Sequence, residues 1–272
     1  MEWEVLGAVA PTRLGAAREA LHHAVQVVAA VGESFLPQRA DASHTALVWI
    51  ESHRALGGGE LGGDFPCRLA LRVADATLLL LDRQGAPHAS LALAGERPAA
   101  ALRWAERAIA DHTHGAHAKP LVHPGFAIPG RLERFPAPDA ASAELARWYA
   151  DAELELGVLV ARTPEAGPVL CWPHHLDLAT LLALGSGRTI GVGLSPGDGG
   201  IPEPYVYVNQ HPPPAARALP PLAAGVWHTE GWLGAVLRGS ALAGAGDAAA
   251  QQALWRRFVA SALEASRRLS NG

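Results

Sequence analysis

Leu14, Ala17, Leu21, Val25 and Val28 recur three and four residues apart, with Arg18, His22 and Gln26 on a neighbouring stripe. Side chains at that spacing share one face of an α-helix, which predicts an amphipathic helix over Thr12 to Val31. The period then changes. Ala46 to Glu51, Arg68 to Val73, Thr77 to Asp82 and His88 to Leu93 are short apolar or alternating runs, separated by Gly57-Gly58-Gly59, Gly62-Gly63, Asp75 and Gln84-Gly85. Such runs between turn residues predict an antiparallel meander. Pro98 suits the first turn of a helix, and Leu102, Ala105 and Ile109 on one face carry it to Ala110.

From His112 to Asp139 the periodicity stops. Prolines 120, 124, 129, 136 and 138, with glycines among them, predict a connector that runs over the surface without regular structure. Beyond it a helix is expected over Ala140 to Leu154, and strands over Pro168 to Trp172, Thr189 to Leu194, Tyr205 to Val208 and Val226 to Leu237. A final helix follows over Asp247 to Leu269, with Leu254, Phe258, Leu263 and Ser266 near one face. The order helix, about four strands, helix thus occurs twice. The expected fold class is α+β, two helix–four-strand–helix halves with antiparallel sheets in the manner of an internal duplication, although no residue-level repeat accompanies it. Residues 1–111 form the N-terminal half, 112–139 the Pro/Gly/His-rich connector, and 140–272 the C-terminal half that carries the candidate site.

Composition narrows the function classes. With 272 residues, 49% of them hydrophobic and 18% charged, the chain can bury a sizeable core. Its apolar runs, such as Val27 to Val31 and Leu78 to Leu81, are too short to span a bilayer, and Met1-Glu2-Trp3-Glu4 lacks a basic leader, so a cytoplasmic location is expected. The net charge is −4 and the basic residues, of which Lys119 is the only lysine, form no run, which argues against nucleic acid as a partner. Cys67 and Cys171 lie far apart without a Cys-x-x-Cys spacing, as expected of two reduced, buried thiols.

The 13 histidines are the chemical lead. If Cys171 to Asp177 and Trp227 to Trp232 are strands, His175 lies on one face with Asp177, and His228 with Glu230, because residues two apart point the same way. Two imidazoles and two carboxylates suit a divalent metal such as zinc, manganese or iron. The alternative is hydrogen-bonded pairs at a sheet edge, or a helix start at Pro173 that would pair His174 with Asp177 instead. His112, His114, His117 and His123 sit in the proline-rich connector and read as a solvated loop. His22 and Gln26, one helical turn apart, reach toward either a common cleft or the meander.

Gly185-Ser186-Gly187-Arg188 and Ser195-Pro196-Gly197-Asp198-Gly199-Gly200 lack the strand–loop–helix order of a phosphate cradle, so both read as hairpin turns and no nucleotide cofactor is expected. Gly193-Leu194-Ser195-Pro196-Gly197 matches Gly-x-Ser-x-Gly only in letters, since Pro196 opposes the strand-to-helix elbow. Glu203 between Pro202 and Pro204 is a candidate general base or metal ligand, with a surface acid as the alternative. Trp172, Tyr205, Tyr207, Trp227 and Trp232 line a pocket or fill the core.

Several of these residues also fall into motifs. Leu21, His22 and Gln26; Pro168, Val169, Asp177, Leu178 and Ala179; Pro196 and Gly197; and Glu203, Tyr207 and Pro212 resemble, in order, segments of an uncharacterised bacterial family. Its members carry Leu-His-x-x-x-Gln, Ser-Pro-Val-x-Phe-x-Trp-Gly-x-Phe-Asp-Leu-Ala, Trp-Pro-Gly and Glu-x-x-Phe-Tyr-x-Tyr-x-x-Pro. Over most of the chain the order of helices and strands is also similar. The chain departs from the family at Leu170, where a histidine is usual, and at Pro173-His174-His175, where Trp-Gly-x is usual. The resemblance implies no known reaction.

Together these features lead to an expectation of a metal-dependent enzyme, with hydrolysis of a small molecule as its reaction. His175, Asp177, His228 and Glu230 would hold the metal, Glu203 would take a proton from its bound water, and His22, Gln26, Trp172, Tyr207 and Trp227 would contact the substrate. The alternative is a non-catalytic small-molecule-binding or assembly protein whose histidines are structural.

Overall fold

A computed structural model describes residues 2–128, 130–214 and 218–271. Its helices and two antiparallel sheets place the chain in the α+β class. The chain divides into two compact units. One, here the meander unit, comprises Ala16–Ala146 with Leu170–Leu176; the other, the C-terminal unit, comprises Met1–Gly15, Arg147–Val169 and Asp177–Gly272.

Helix α1 covers Gly15–Phe35, beginning after a single 3-10 turn at Pro11–Arg13. Val27 to Val31 are buried without interruption, so its later turns are enclosed on every side. The meander follows as β1 (Val48–Ile50), β2 (Ala55–Gly57), β3 (Cys67–Arg72), β4 (Thr77–Asp82) and β5 (Pro87–Ala92), paired in sequence order. β2 is too short for its period to register in the sequence. The Asp82 carboxylate accepts the amides of Gln84 and Ala86 at 2.9 and 2.8 Å, which closes the β4–β5 turn. Helix α2 (Pro98–His112) packs on this sheet through Ala101, Ala105 and Ile109. No helix or strand occurs among the described residues between His112 and Asp139. Strand β6 (Leu170–Trp172) is tied to the meander by reciprocal backbone bonds between Leu47 and Cys171.

Helix α3 (Ala140–Arg162) runs two turns beyond the predicted Leu154. After it come β7 (Asp177–Gly185), β8 (Arg188–Ser195), β9 (Tyr205–His211), β10 (Val226–His228), β11 (Gly234–Arg238), the short α4 (Gly239–Ala243) and α5 (Ala248–Asn271). The second sheet has the order β10-β11-β9-β8-β7-β6. β7 escapes the sequence pattern because Leu178 to Ala183 does not alternate. The expected strand over Val226 to Leu237 is a hairpin, because Gly231 turns the chain at φ +80° and His228 then pairs with Gly234. Ser186 and Gly187, both at positive φ, make the tight β7–β8 hairpin. The stretch from Pro196 to Pro204 is a longer loop, in which Asp198 Oδ1 accepts the amides of Gly200 and Ile201.

Register separates the two faces of this sheet. Leu178, Leu182, Ile190, Val192, Leu194, Val206, Val208, Ala235 and Leu237, all at most 2% exposed, form the apolar face beneath α5. The opposite face carries Asp177, Ala179 and Leu181 of β7, Gly191 and Gly193 of β8, Tyr205, Tyr207 and Asn209 of β9, Gly234 and Val236 of β11, and His228 of β10. Cys67 and Cys171 are buried and neither forms a disulfide, and burial pushes the Cys67 thiol up to about 11. Among the described residues no helix is long and apolar enough to cross a membrane.

Candidate functional site

On the polar face of the second sheet, glycines let large side chains lie across neighbouring strands. Gly193 sits opposite Tyr207, and the Tyr207 ring crosses β8 at that glycine, so that its hydroxyl donates to Asp177 Oδ2 on β7. A Cβ at Gly193 would lie 2.8 Å from that hydroxyl and 2.6 Å from the Ala179 Cβ. At Gly234 an added Cβ would meet the ring of Trp232, which lies over that strand. Tyr205, two residues before Tyr207 and hence on the same face, donates to Asp198 Oδ2 at 2.6 Å. Burial and the Asp198 carboxylate both raise the Tyr205 phenol, so it stays protonated.

The three rings close on one another. Tyr205 and Tyr207 are 6.2 Å apart by centroid, and Trp232 lies 6.3 Å from Tyr205 and 6.4 Å from Tyr207. Trp232 is near-parallel to Tyr205 (27°) and nearly perpendicular to Tyr207 (80°), so the rings form a corner. Tyr205 is buried together with Ile201 and Val236, and the half-buried Tyr207 and Trp232 pack against that cluster. His228 flanks the indole, 4.7 Å from it.

Of the residues expected to hold a metal, Asp177 and His228 occupy this face without converging. Three strands separate β7 from β10, four steps of about 4.8 Å and so about 19 Å of sheet. Asp177 is engaged by Tyr207, Glu230 is exposed in the β10–β11 turn, and His175 belongs to the meander unit. Among the described residues no group of three or more His, Cys, Asp or Glu is arranged to hold a metal ion. Glu203 anchors α4: its carboxylate accepts the Ser240 amide at 2.6 Å and the Ser240 hydroxyl at 3.2 Å, with Arg238 at 3.5 Å. A carboxylate at a helix N-terminus compensates exposed amides, and this one is committed to that bond. Trp227 donates from Nε1 to the Pro220 carbonyl at 2.7 Å and points away from the three rings. Asp198 is legible in the sequence as a turn residue, and its second role as the acceptor for Tyr205 is not. The Gly-x-Gly at 191 and 193, in step with Tyr207 and Asn209, was the readable sign of a cleared strip.

In the meander unit, His22 and Gln26 act on one carbonyl. Gln26 Nε2 donates to the Pro173 oxygen at 2.7 Å, and His22 Nε2 donates to it at 3.0 Å. They thereby hold the Trp172–Leu176 turn, where Leu176 adopts φ +62°. The turn presents His174 and the exposed His175, rings 4.4 Å apart, with His174 6.0 Å from Trp172 and 5.3 Å from Phe126. His174 Nδ1 is buried without a hydrogen-bond partner among the described residues. The connector histidines do not gather: His112 packs on His88, His114 on Phe65 and His117 on Phe35, and His123 accepts the Gly125 amide.

Burial lowers His174 to about 4 and also lowers His22, with the other imidazoles of the cluster adding to the effect. The unfolded chain therefore takes up protons below about pH 6.5 that folded His174 refuses until about 4. Stability is expected to fall across that window and to be insensitive to these groups above pH 7. Urea midpoints at pH 7.5 and 5.0 measure it, and His174→Asn should flatten the difference; an equal difference in the variant would rule His174 out as a source.

No family model matches the chain, and neither a curated protein nor a solved structure is similar to it, so the roles of these residues rest on their geometry.

Proposed function

We propose that the chain is a small-molecule-binding protein of the cytoplasm, and that its ligand presents a cationic alkylammonium group to the corner formed by Tyr205, Tyr207 and Trp232. What carries the reading is the combination of three rings at 6.2 to 6.4 Å with two phenols bonded to carboxylates. A phenol that donates to a carboxylate is polarised toward its ring, and a cation over such faces gains about 0.5 to 2 kcal/mol per contact. Asp177 and Asp198 add negative charge, and the nearby Arg238 is directed at Glu203. The commitment of Glu203 to α4, and of His22 to the Pro173 carbonyl, favours binding over catalysis.

Tag-free protein titrated with choline and with its neutral isostere 3,3-dimethylbutan-1-ol is the test. Choline should raise the melting temperature in proportion to the logarithm of its concentration, the isostere should have much less effect, and Trp232→Leu should abolish the response. Equal stabilisation by both compounds, or an unchanged response in Trp232→Leu, would defeat the cationic reading. One equivalent of zinc, manganese or iron retained by the same protein would move the assignment to metal-dependent hydrolysis.

A further inference from the structure

The C-terminal unit holds a second cavity away from the three rings. Helices α3 and α5 run side by side in the same direction. Glu155 accepts from Gln252 and Arg256 at 2.7 to 2.8 Å, and farther along Glu165 accepts from Arg267 at 2.7 Å. Between these two fastenings lies a groove of about 310 Å³. Its floor is Trp255, Val259 and Leu263, all buried, and Val158 and Leu159 of α3 form one wall. From Trp255 to Leu263 the groove extends about 12 Å, at 1.5 Å per helical residue.

The charges along it are unequal. Glu155 and Arg256 neutralise each other at one end in a two-bond pair. At the other end Arg162, exposed in the last turn of α3, has no carboxylate partner among the described residues, and its neighbour Glu165 is matched by Arg267. An aliphatic trough with an unmatched guanidinium at one mouth is complementary to a chain that is apolar along its length and anionic at one end.

We propose that this groove binds a medium-chain fatty carboxylate, its alkyl chain along Trp255, Val259 and Leu263 and its carboxylate at Arg162. The assignment is independent of the alkylammonium site, because the two share no residue. Affinity should rise about fourfold per methylene, the equivalent of one buried CH₂, until the groove is full. The carboxylate at an exposed arginine should add about fivefold.

Calorimetric titration of the protein with octanoate, decanoate and decanol tests the proposal. Decanoate should bind more tightly than octanoate, and decanol more weakly than decanoate. Arg162→Gln should reduce decanoate affinity about fivefold and leave decanol unchanged, while Ala260→Trp, at an exposed position on the groove wall, should block both. Both variants alter exposed residues, and their melting curves report that the fold is kept. The proposal is overturned if decanoate fails to bind, if decanol binds as tightly, or if Ala260→Trp leaves decanoate affinity unchanged. That last result would place the binding elsewhere.

Discussion

Gln251→Leu is expected to lower the unfolding free energy by about 2 to 6 kcal/mol, since each of two buried backbone groups left unpaired costs about 1 to 3 kcal/mol. Gln251 is completely buried, and both ends of its amide are in use. Its Oε1 accepts the Leu6 amide at 2.9 Å and the Trp3 indole N–H at 3.3 Å. Its Nε2 donates to the carbonyls of Leu6 at 3.0 Å and of Ala243 and Gly246 at 3.2 Å. Only a carboxamide offers donor and acceptor together at that reach, so leucine, with a similar volume, strands the amide and carbonyl of Leu6. Trp3, packed edge-on against Trp255 at 5.8 Å, would then lose its hydrogen bond to α5 and keep only that packing. Urea unfolding of the variant measures the loss, and a change below about 1 kcal/mol would show that water replaces Gln251 at little cost.

The second large effect is expected at Gly193. Gly193→Ala places a methyl 2.6 Å from the Ala179 Cβ and 2.8 Å from both the Leu178 carbonyl and the Tyr207 hydroxyl. Two of these neighbours belong to the β7 strand and cannot swing aside, so overpacking should cost about 1 to 3 kcal/mol. The Tyr207 hydroxyl must also withdraw from Asp177. Tyr207→Phe alone should cost about 1 kcal/mol or somewhat more, because its acceptor is a carboxylate. In the double variant the costs should not add, since Gly193→Ala has already broken the bond that Tyr207→Phe removes. Strict additivity in a double-mutant cycle would mean that the ring does not depend on the glycine. The response to choline should be weakened in Gly193→Ala as well.

How far the sequence could be read follows from what periodicity reports. Helices α1, α2 and α5 and strands β3 and β4 were legible because each buries one face, or is enclosed throughout, over enough residues for the repeat to register, and β5 because half-buried Ala89 and Leu91 alternate with exposed neighbours. Strand β2 has three residues, and the core of β7, Leu178 to Ala183, does not alternate apolar with polar, so neither shows a usable period. The hairpin within Val226 to Leu237 depended on Gly231 taking a positive φ in the middle of a run that otherwise resembles one strand.

The candidate residues were legible as chemical types, and their partners were not. His22 and Gln26 are legible as a pair because both sit on one helix, one turn apart, and spacing within an element is a local property. That they share the Pro173 carbonyl depends on a turn 147 residues farther on from Gln26. Likewise Tyr205 and Tyr207 face the same way by strand geometry alone, whereas their pairing with Asp198 and Asp177 required the β8 register that puts Gly193 opposite Tyr207. Glu203 looked like a base because an acid between prolines is rigid; the Ser240 amide that engages it lies 37 residues away. The sequence by itself determined which faces are apolar and which residue types are at hand, because those follow from local period and composition. Only the tertiary structure decided which carboxylate meets which donor, because register and loop closure bring together residues whose separation along the chain carries no information about distance.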